Sequence, residues 1–203
     1  MIKYNNHKPY NIKALTGIEA REYFNEIANL RINIFCEFPY LYKGTLEYEQ
    51  EYLNMYFDSK NSLIQLVFDQ HNNVVGFTSF IPLKETITEI QQPFINNNIN
   101  IAEYYYFGDA IIKPSHRGQG ILRELFSYNE TTAQKKGYNN VVFMTVIRPD
   151  HHPIKPNNYR SLEPIWQYFG YKLLENIEIN LAWEQVDSKK QENNTLRIWK
   201  NSL

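Results

Sequence analysis

Between Ile111 and Phe126 the chain reads IIKPSHRGQGILRELF. An apolar run, a proline, Gly118 and Gly120, then Ile121, Leu122, Leu125 and Phe126 at helical spacing predict a strand, a glycine turn and an amphipathic helix. Glycine lacks Cβ, so such a turn brings backbone N–H groups close to a ligand. At a helix N-terminus those groups carry partial positive charge and favour phosphate, and Arg117 adds a fixed cation. The chemistry implied is a pyrophosphate cradle, although the same glycines would serve a plain strand-to-helix turn. The spacing matches neither G-x-G-x-x-G nor G-x-x-x-x-G-K-[ST], which removes the dinucleotide and P-loop readings.

Titratable groups flank this segment. Glu103 and Asp109 precede it on the same predicted strand. Six apart, they share a face of a regular strand, a relation that a bulge would break. Asp109 is either a proton acceptor or a structural carboxylate. Asp150, His151 and His152 follow the apolar run 140–147, at the edge where open α/β sheets place ligands. Imidazole titrates near neutral pH, so either His is a candidate base; the trio also suits a solvated loop. Consecutive His residues with one Asp lack the spacing of common zinc sites, so no metal is expected.

The elements that must position these groups follow from periodicity. Asn11–Leu15 reads as a strand, Thr16 as an N-cap, and Ile18–Phe35 and Leu46–Phe57 as helices. Strands at Ser62–Asp69 and Val74–Leu83 flank the turn His71-Asn72-Asn73, a hairpin pattern. A short helix is expected at Ile90–Ile95, a strand at Ala102–Ile112, and a helix reaching about Lys136 with Gly137 as its cap. Asn140–Ile147 is nearly all apolar, as a strand buried on both faces should be. A Pro- and His-rich loop, a helix at Ser161–Phe169 and strands at Ile177–Trp183 and Leu196–Trp199 complete the chain, the last two joined by the polar loop VDSKKQENN. The expectation is one α/β domain over residues 1–203, with a mixed sheet and helices on both faces.

Composition bounds the partners. The chain has 203 residues, is 43% hydrophobic with 16 Tyr, and carries a net charge of -1. With no basic stripe, a nucleic-acid partner is not expected. Cys36 stands alone, which precludes an internal disulfide and fits a reducing cytoplasm. The segment from Met1 to Lys13 has no apolar leader core, and the longest apolar runs are far short of a membrane span.

The pattern I-x-P-x-x-R-G-x-G-I-x-x-x-L resembles the coenzyme-A motif of the GCN5-related N-acetyltransferase (GNAT) family, an R/Q-x-x-G-x-G/A signature. Arg117, Gly120 and Pro114 match it; Leu122 stands where Gly or Ala is usual. The helix pair, the hairpin, the strand 140–147 and the ending Phe169-Gly170-Tyr171 follow the family's order. The segments Glu37–Tyr42 and Arg148–Pro153 are similar to those of one bacterial subgroup. The resemblance implies a mostly antiparallel sheet of about seven strands, with acetyl-CoA as cosubstrate and an amine acceptor, small molecule or peptide. It implies that Ala110, Ile111 and Ile112 bind the pantetheine arm. Arg117, Gly118, Gln119, Gly120, Ile121, Leu122 and Arg123 would hold the pyrophosphate, with the thioester between the strands 102–112 and 140–147. The assembly expected is a monomer or a homodimer.

Direct attack needs a free amine, and an alkylamine with a pKa of about 10.4 is mostly ammonium at neutral pH. Asp109 and His151 are the candidate proton acceptors. The family's acid, a Tyr before the terminal Gly-Phe, corresponds to Trp166, whose indole is not a useful acid; Tyr159 or Tyr168 would replace it. Glu37, Phe38, Tyr40 and Tyr42 form an acidic, aromatic stretch suited to a cationic acceptor, or else Phe38 and Tyr40 are simply core. Glu103, Asp150 and His152 would complete the acceptor site. The alternative to an enzyme is a module that binds acyl-CoA without turnover. A third possibility is an oxygen or sulfur acceptor.

Overall fold

A computed structural model describes residues 8–188 and 190–203. Residues 1–7, where the leader reading begins, and residue 189 lie outside the described residues.

After β1 (Tyr10–Leu15), the Thr16 hydroxyl accepts the Glu19 N–H, and the Glu19 carboxylate accepts the Thr16 N–H at 2.8 Å. This reciprocal cap satisfies two donors that a helix start leaves free. The expected helix 18–35 is two helices, α1 (Gly17–Ala20) and α2 (Phe24–Phe35), joined by a 3-10 turn at Arg21–Tyr23. The turn re-phases the ladder, so that Ala20 and then Ile27, Ala28, Leu30 and Arg31 are buried. α3 (Leu46–Phe57) has the expected bounds and is capped by Thr45. β2 (Leu63–Asp69) and β3 (Val74–Pro82) form the expected hairpin, and α4 spans Thr88–Asn96. There follow β4 (Tyr104–Ile112), α5 (Ile121–Lys135), β5 (Asn140–Val146), α6 (Glu163–Tyr168), β6 (Lys172–Glu184) and β7 (Gln191–Ser202).

The strands form one seven-stranded sheet in the order β1-β2-β3-β4-β5-β7-β6. Only β4 and β5 pair in parallel; the other neighbours are antiparallel. One face carries α1–α4 over Leu66, Phe77, Tyr106, Val142 and Ile198. The other carries α5 and α6 over Phe80, Tyr105, Phe107, Phe143 and Trp199. The strands β6 and β7 are longer than expected, pairing out to Glu184↔Gln191, so residues 191–194 of the polar stretch 186–194 are ladder rather than loop. Gln191–Asn194 show no apolar alternation to mark a strand, although Asn194 is buried.

Two irregularities around β4 shape the cleft. First, β4 pairs with β5 over Tyr104–Tyr106 and Asn140–Val142, and among the described residues the ladder goes no further. Second, the β3–β4 register passes from Ser79↔Asp109 to Phe80↔Phe107, leaving Gly108 as the extra residue of a bulge. A Cβ at Gly108 would collide with the Tyr56 hydroxyl and Ser79 Oγ. The bulge carries Asp109 to the face where α2 and α3 lie, alongside Tyr104 and Tyr106. It therefore breaks the expected relation between Glu103 and Asp109. Glu103 is also not in the strand: it ends a 3-10 turn, is exposed, and accepts from Asn100 at 2.9 Å.

Candidate active site

A cavity of about 1030 Å³ fills the opening between β4 and β5. Phe107–Ile112 form one wall, Phe143–Val146 the other, and the turn 116–123 closes one end.

That end is built from backbone. Gly118 and Gly120 have φ of 76° and 79°, the left-handed region that side chains resist. Open space surrounds the position of a Cβ at either, so torsion rather than crowding calls for glycine. Among the described residues no side chain caps α5, which leaves its first-turn N–H groups facing the cavity end. Arg117 is exposed and donates through Nε to the Ile112 carbonyl at 3.0 Å, tying the turn back to β4. The Ile112 carbonyl thus already accepts one hydrogen bond, and Ala110, Ile111 and Ile112 all line the opening. Leu122 lines the cavity and packs toward the aromatic cluster of α6. Arg123 donates to the exposed Tyr168 at 2.8 Å, so Tyr168 is occupied at the surface. Gln119 is exposed and lies outside the lining.

At the other end side chains do the building. Asp109 is buried and forms an ion pair with Arg31 Nη1 through Oδ1. Its Oδ2 accepts from Ser79 at 2.6 Å and Tyr52 at 3.2 Å. Arg31 also donates through Nε to Glu49 at 2.5 Å, and the Tyr42 hydroxyl donates to the other Glu49 oxygen at 2.7 Å. The guanidinium lies over the Tyr52 ring, 3.8 Å from its centroid. Burial opposes the Arg31 charge, but Asp109, Tyr52 and Glu49 hold its pKa well above the ordinary value. Burial raises the Glu49 carboxyl, against the pull of Arg31. One cation therefore faces two carboxylates. A carboxylate has about four acceptor sites; Asp109 uses three, and its remaining site is on the oxygen that Arg31 holds.

Three segments enclose this end. Arg148, after β5, donates to the Pro39 and Tyr40 carbonyls at 2.7 and 3.0 Å. Trp183, near the end of β6, donates to the Tyr40 carbonyl at 3.1 Å. The Val186 N–H donates to the Leu41 carbonyl at 2.9 Å, and the Lys43 N–H to that of Glu184 at 2.8 Å. Inside, Phe35 packs on Tyr40 at 4.5 Å, and Phe38 meets Tyr159 edge-on at 4.7 Å. Burial, then the charge of Asp109, raises the Tyr40 phenol. Burial likewise raises Tyr159, so both stay protonated at neutral pH.

Several expected residues lie elsewhere. Tyr42 is buried and committed to Glu49, outside the cavity lining. Asp150 is exposed and pairs with Lys155 at 3.0 Å. His151 is exposed and His152 packs beside Phe38, neither lining the cavity, which is the solvated-loop arrangement. Glu103 is remote for the reason given above. Trp166 is buried and stacked on Phe126 at 5.6 Å, although it also borders the cavity. Cys36 lines the cavity, with its thiol on the Asn33 carbonyl at 3.3 Å. Among the described residues no cluster of three His, Cys, Asp or Glu is placed to hold a metal, and no helix is long and apolar enough to cross a membrane. Sequence reasoning missed Arg31, Glu49, Tyr52 and Ser79. The available signal was charge on an apolar stripe: Arg31 follows Ile27 by one helical turn, and Glu49 precedes Leu53 by one.

Comparisons with known proteins bear on the family and the fold. The sequence model of the acetyltransferase (GNAT) family matches residues 28–155. No curated protein sequence matches the chain. Among solved structures, an N-acetyltransferase from Staphylococcus aureus Mu50 superposes with a TM-score of 0.60 at 14% identity, covering 96% of this chain and 99% of that one. NAA60 of Arabidopsis thaliana, in complex with a bisubstrate analogue, gives 0.60 at 10% identity, with 96% and 99% covered. A ribosomal-protein-alanine N-acetyltransferase from Brucella melitensis gives 0.55 at 13%, with 95% and 99% covered. At these identities the likeness concerns the fold.

Proposed function

The chain belongs to the acetyltransferase (GNAT) family, and we propose that it is an enzyme that moves an acetyl group from acetyl-CoA to an amine by direct attack in a ternary complex. Residues 1–203 act as one catalytic domain, in the cytoplasm, as a monomer or a homodimer. The observation that carries this reading is a single cavity running from the uncapped N-terminus of α5 to the buried carboxylate of Asp109.

The α5 N-terminus, with Gly118, Gly120 and Arg117, would hold the pyrophosphate. The β4 edge facing β5 would take the pantetheine amide groups, much as an added strand would pair. The amine nitrogen attacks the thioester carbonyl carbon. A C–N bond forms, the C–S bond breaks, and the sulfur leaves with its electron pair. Asp109 is the proposed acceptor of the amine proton, at its one free site and with a surplus negative charge behind it. Tyr159, kept protonated by burial, is the proposed donor to the leaving sulfur. His151 is not retained as the base, because it is exposed and lies outside the cavity lining.

Calorimetry with acetyl-CoA and a thiol-release assay on an amine panel test this together. Binding with release that collapses in Asp109→Asn supports the reading. Binding without release on any amine would leave a non-catalytic acyl-CoA module, and absence of binding would refute the cofactor class.

A further inference from the structure

The acceptor end differs from what its sequence suggests. Glu37, the acidic residue of the stretch 37–42, is exposed at the rim rather than within. Of the other carboxylates on the cavity lining, Glu163 is paired with Arg197 at 2.8 Å, and Asp109 belongs to the Arg31 cluster. That cluster holds two carboxylates against one guanidinium, a surplus of one negative charge. It can accommodate one ammonium, but offers nothing for a second.

Much of the remaining surface is apolar, with Asn158, Arg160 and Ser161 as its polar part beside Tyr159. Phe35, Phe38, Tyr40 and Tyr159 present rings in two contacting pairs. Ile154 and Val186 stay 42% and 38% exposed where they line the same cavity. Exposed aliphatic side chains at a cavity mouth are surface that an apolar ligand covers. The three enclosing segments are joined by the Arg148, Trp183 and Val186 hydrogen bonds. A polypeptide lying across the cleft would have to part them, whereas a compact molecule would not.

Building on the proposed acetyl transfer, we infer that the acceptor is a small primary monoamine carrying one flat apolar body, not a polyamine, an aminoglycoside or a polypeptide. The ring lies among Phe38, Tyr40 and Tyr159, and the nitrogen points to Asp109. Burial among these rings also disfavours the ammonium form, which helps the amine lose its proton.

The test compares phenethylamine, hexylamine, spermidine and a lysine-containing decapeptide in the thiol-release assay, with acetyl-CoA affinity measured on the same sample. Phenethylamine should exceed spermidine and the peptide in kcat/KM by at least about tenfold, since apolar burial discriminates on that scale. Phe38→Leu, which keeps an apolar side chain and removes the flat face, should raise KM for phenethylamine more than for hexylamine. A preference for spermidine or the peptide, with acetyl-CoA bound, overturns the inference and leaves acetyl transfer standing. Equal KM increases for the two monoamines in Phe38→Leu would remove the aromatic subsite. Failure to bind acetyl-CoA, or silence on every amine, overturns both.

Discussion

At the α5 end of the cleft the functional groups are backbone amides presented by two glycines in an open, exposed turn. At the Asp109 end they are side chains from α2, α3, β3 and β4, buried and mutually bonded. The first is a local device: residues 114–123 suffice to make it, and little else is disturbed if they change. The second is a collective device, in which each charge is tolerable only because the others are present. Damage should therefore be additive and mild at one end, and cooperative and severe at the other.

The sharpest way to break this contrast is Arg31→Met, which leaves two buried carboxylates without their cation. Losing one partner of a buried pair costs about 3–5 kcal/mol, and urea unfolding should show it. Adding Glu49→Gln and Asp109→Asn should restore much of the loss; a cost below about 1 kcal/mol in the single variant would mean the cluster is not cooperative. Asp109→Asn should lower kcat by about 10²–10⁴-fold, the usual share of a general base, while the acetyl-CoA Kd holds within about twofold. An equal fall in affinity would merge the two ends into one. At the backbone end, Gly120→Ala should cost about 1–2 kcal/mol from the left-handed φ alone and weaken acetyl-CoA binding. Arg117→Ala should leave stability within about 0.5 kcal/mol and weaken acetyl-CoA more at low salt than at high.

The smallest expected effect is in acid, and its sign separates surface from cluster. Hydrogen bonds lower the exposed Glu19 and the half-buried Asp69, from Thr16 and Asn73 respectively, and the Lys8 contact lowers Glu124. Folded values below unfolded ones mean stability that is present above the ordinary carboxyl range and lost as pH falls through the folded values. Burial raises Glu49, so its contribution has the opposite sign, greatest below the ordinary value and fading as pH rises through the folded one. Thermal melts should therefore show Tm falling in acid, with Glu49→Gln making that fall slightly steeper.

The same contrast explains what was legible in the sequence. The Thr16 cap, the bounds of α3 and the turn at Gly118–Gly120 are written in neighbouring residues, so local spacing sufficed. Asp109 was singled out by its position beside the turn, but its partners lie 30 to 78 residues away in the chain. Spacing carries no trace of such pairings. Tyr42 and Glu103 misled for a related reason. Tyr42 reads as an aromatic face for a cation, whereas its hydroxyl satisfies a buried carboxylate. Glu103 was given an orientation by an alternation that the strand does not keep.

Gly108 makes β4 behave like a text with a shifted reading frame. Before it, even-numbered residues face α1–α4; after it, odd-numbered ones do. The tyrosines belong to the first frame, Asp109 and the cleft wall to the second. Single substitutions in either frame stay local, and removing Gly108 would merge the two frames into one regular alternation, because Asp109 would then follow Phe107 directly and still pair with Ser79. Every side chain downstream would keep its face. A residue inserted between Asp109 and Ile112 would instead turn those beyond it to the opposite face. Within this strand the cleft wall should tolerate the loss of its extra letter far better than the gain of another.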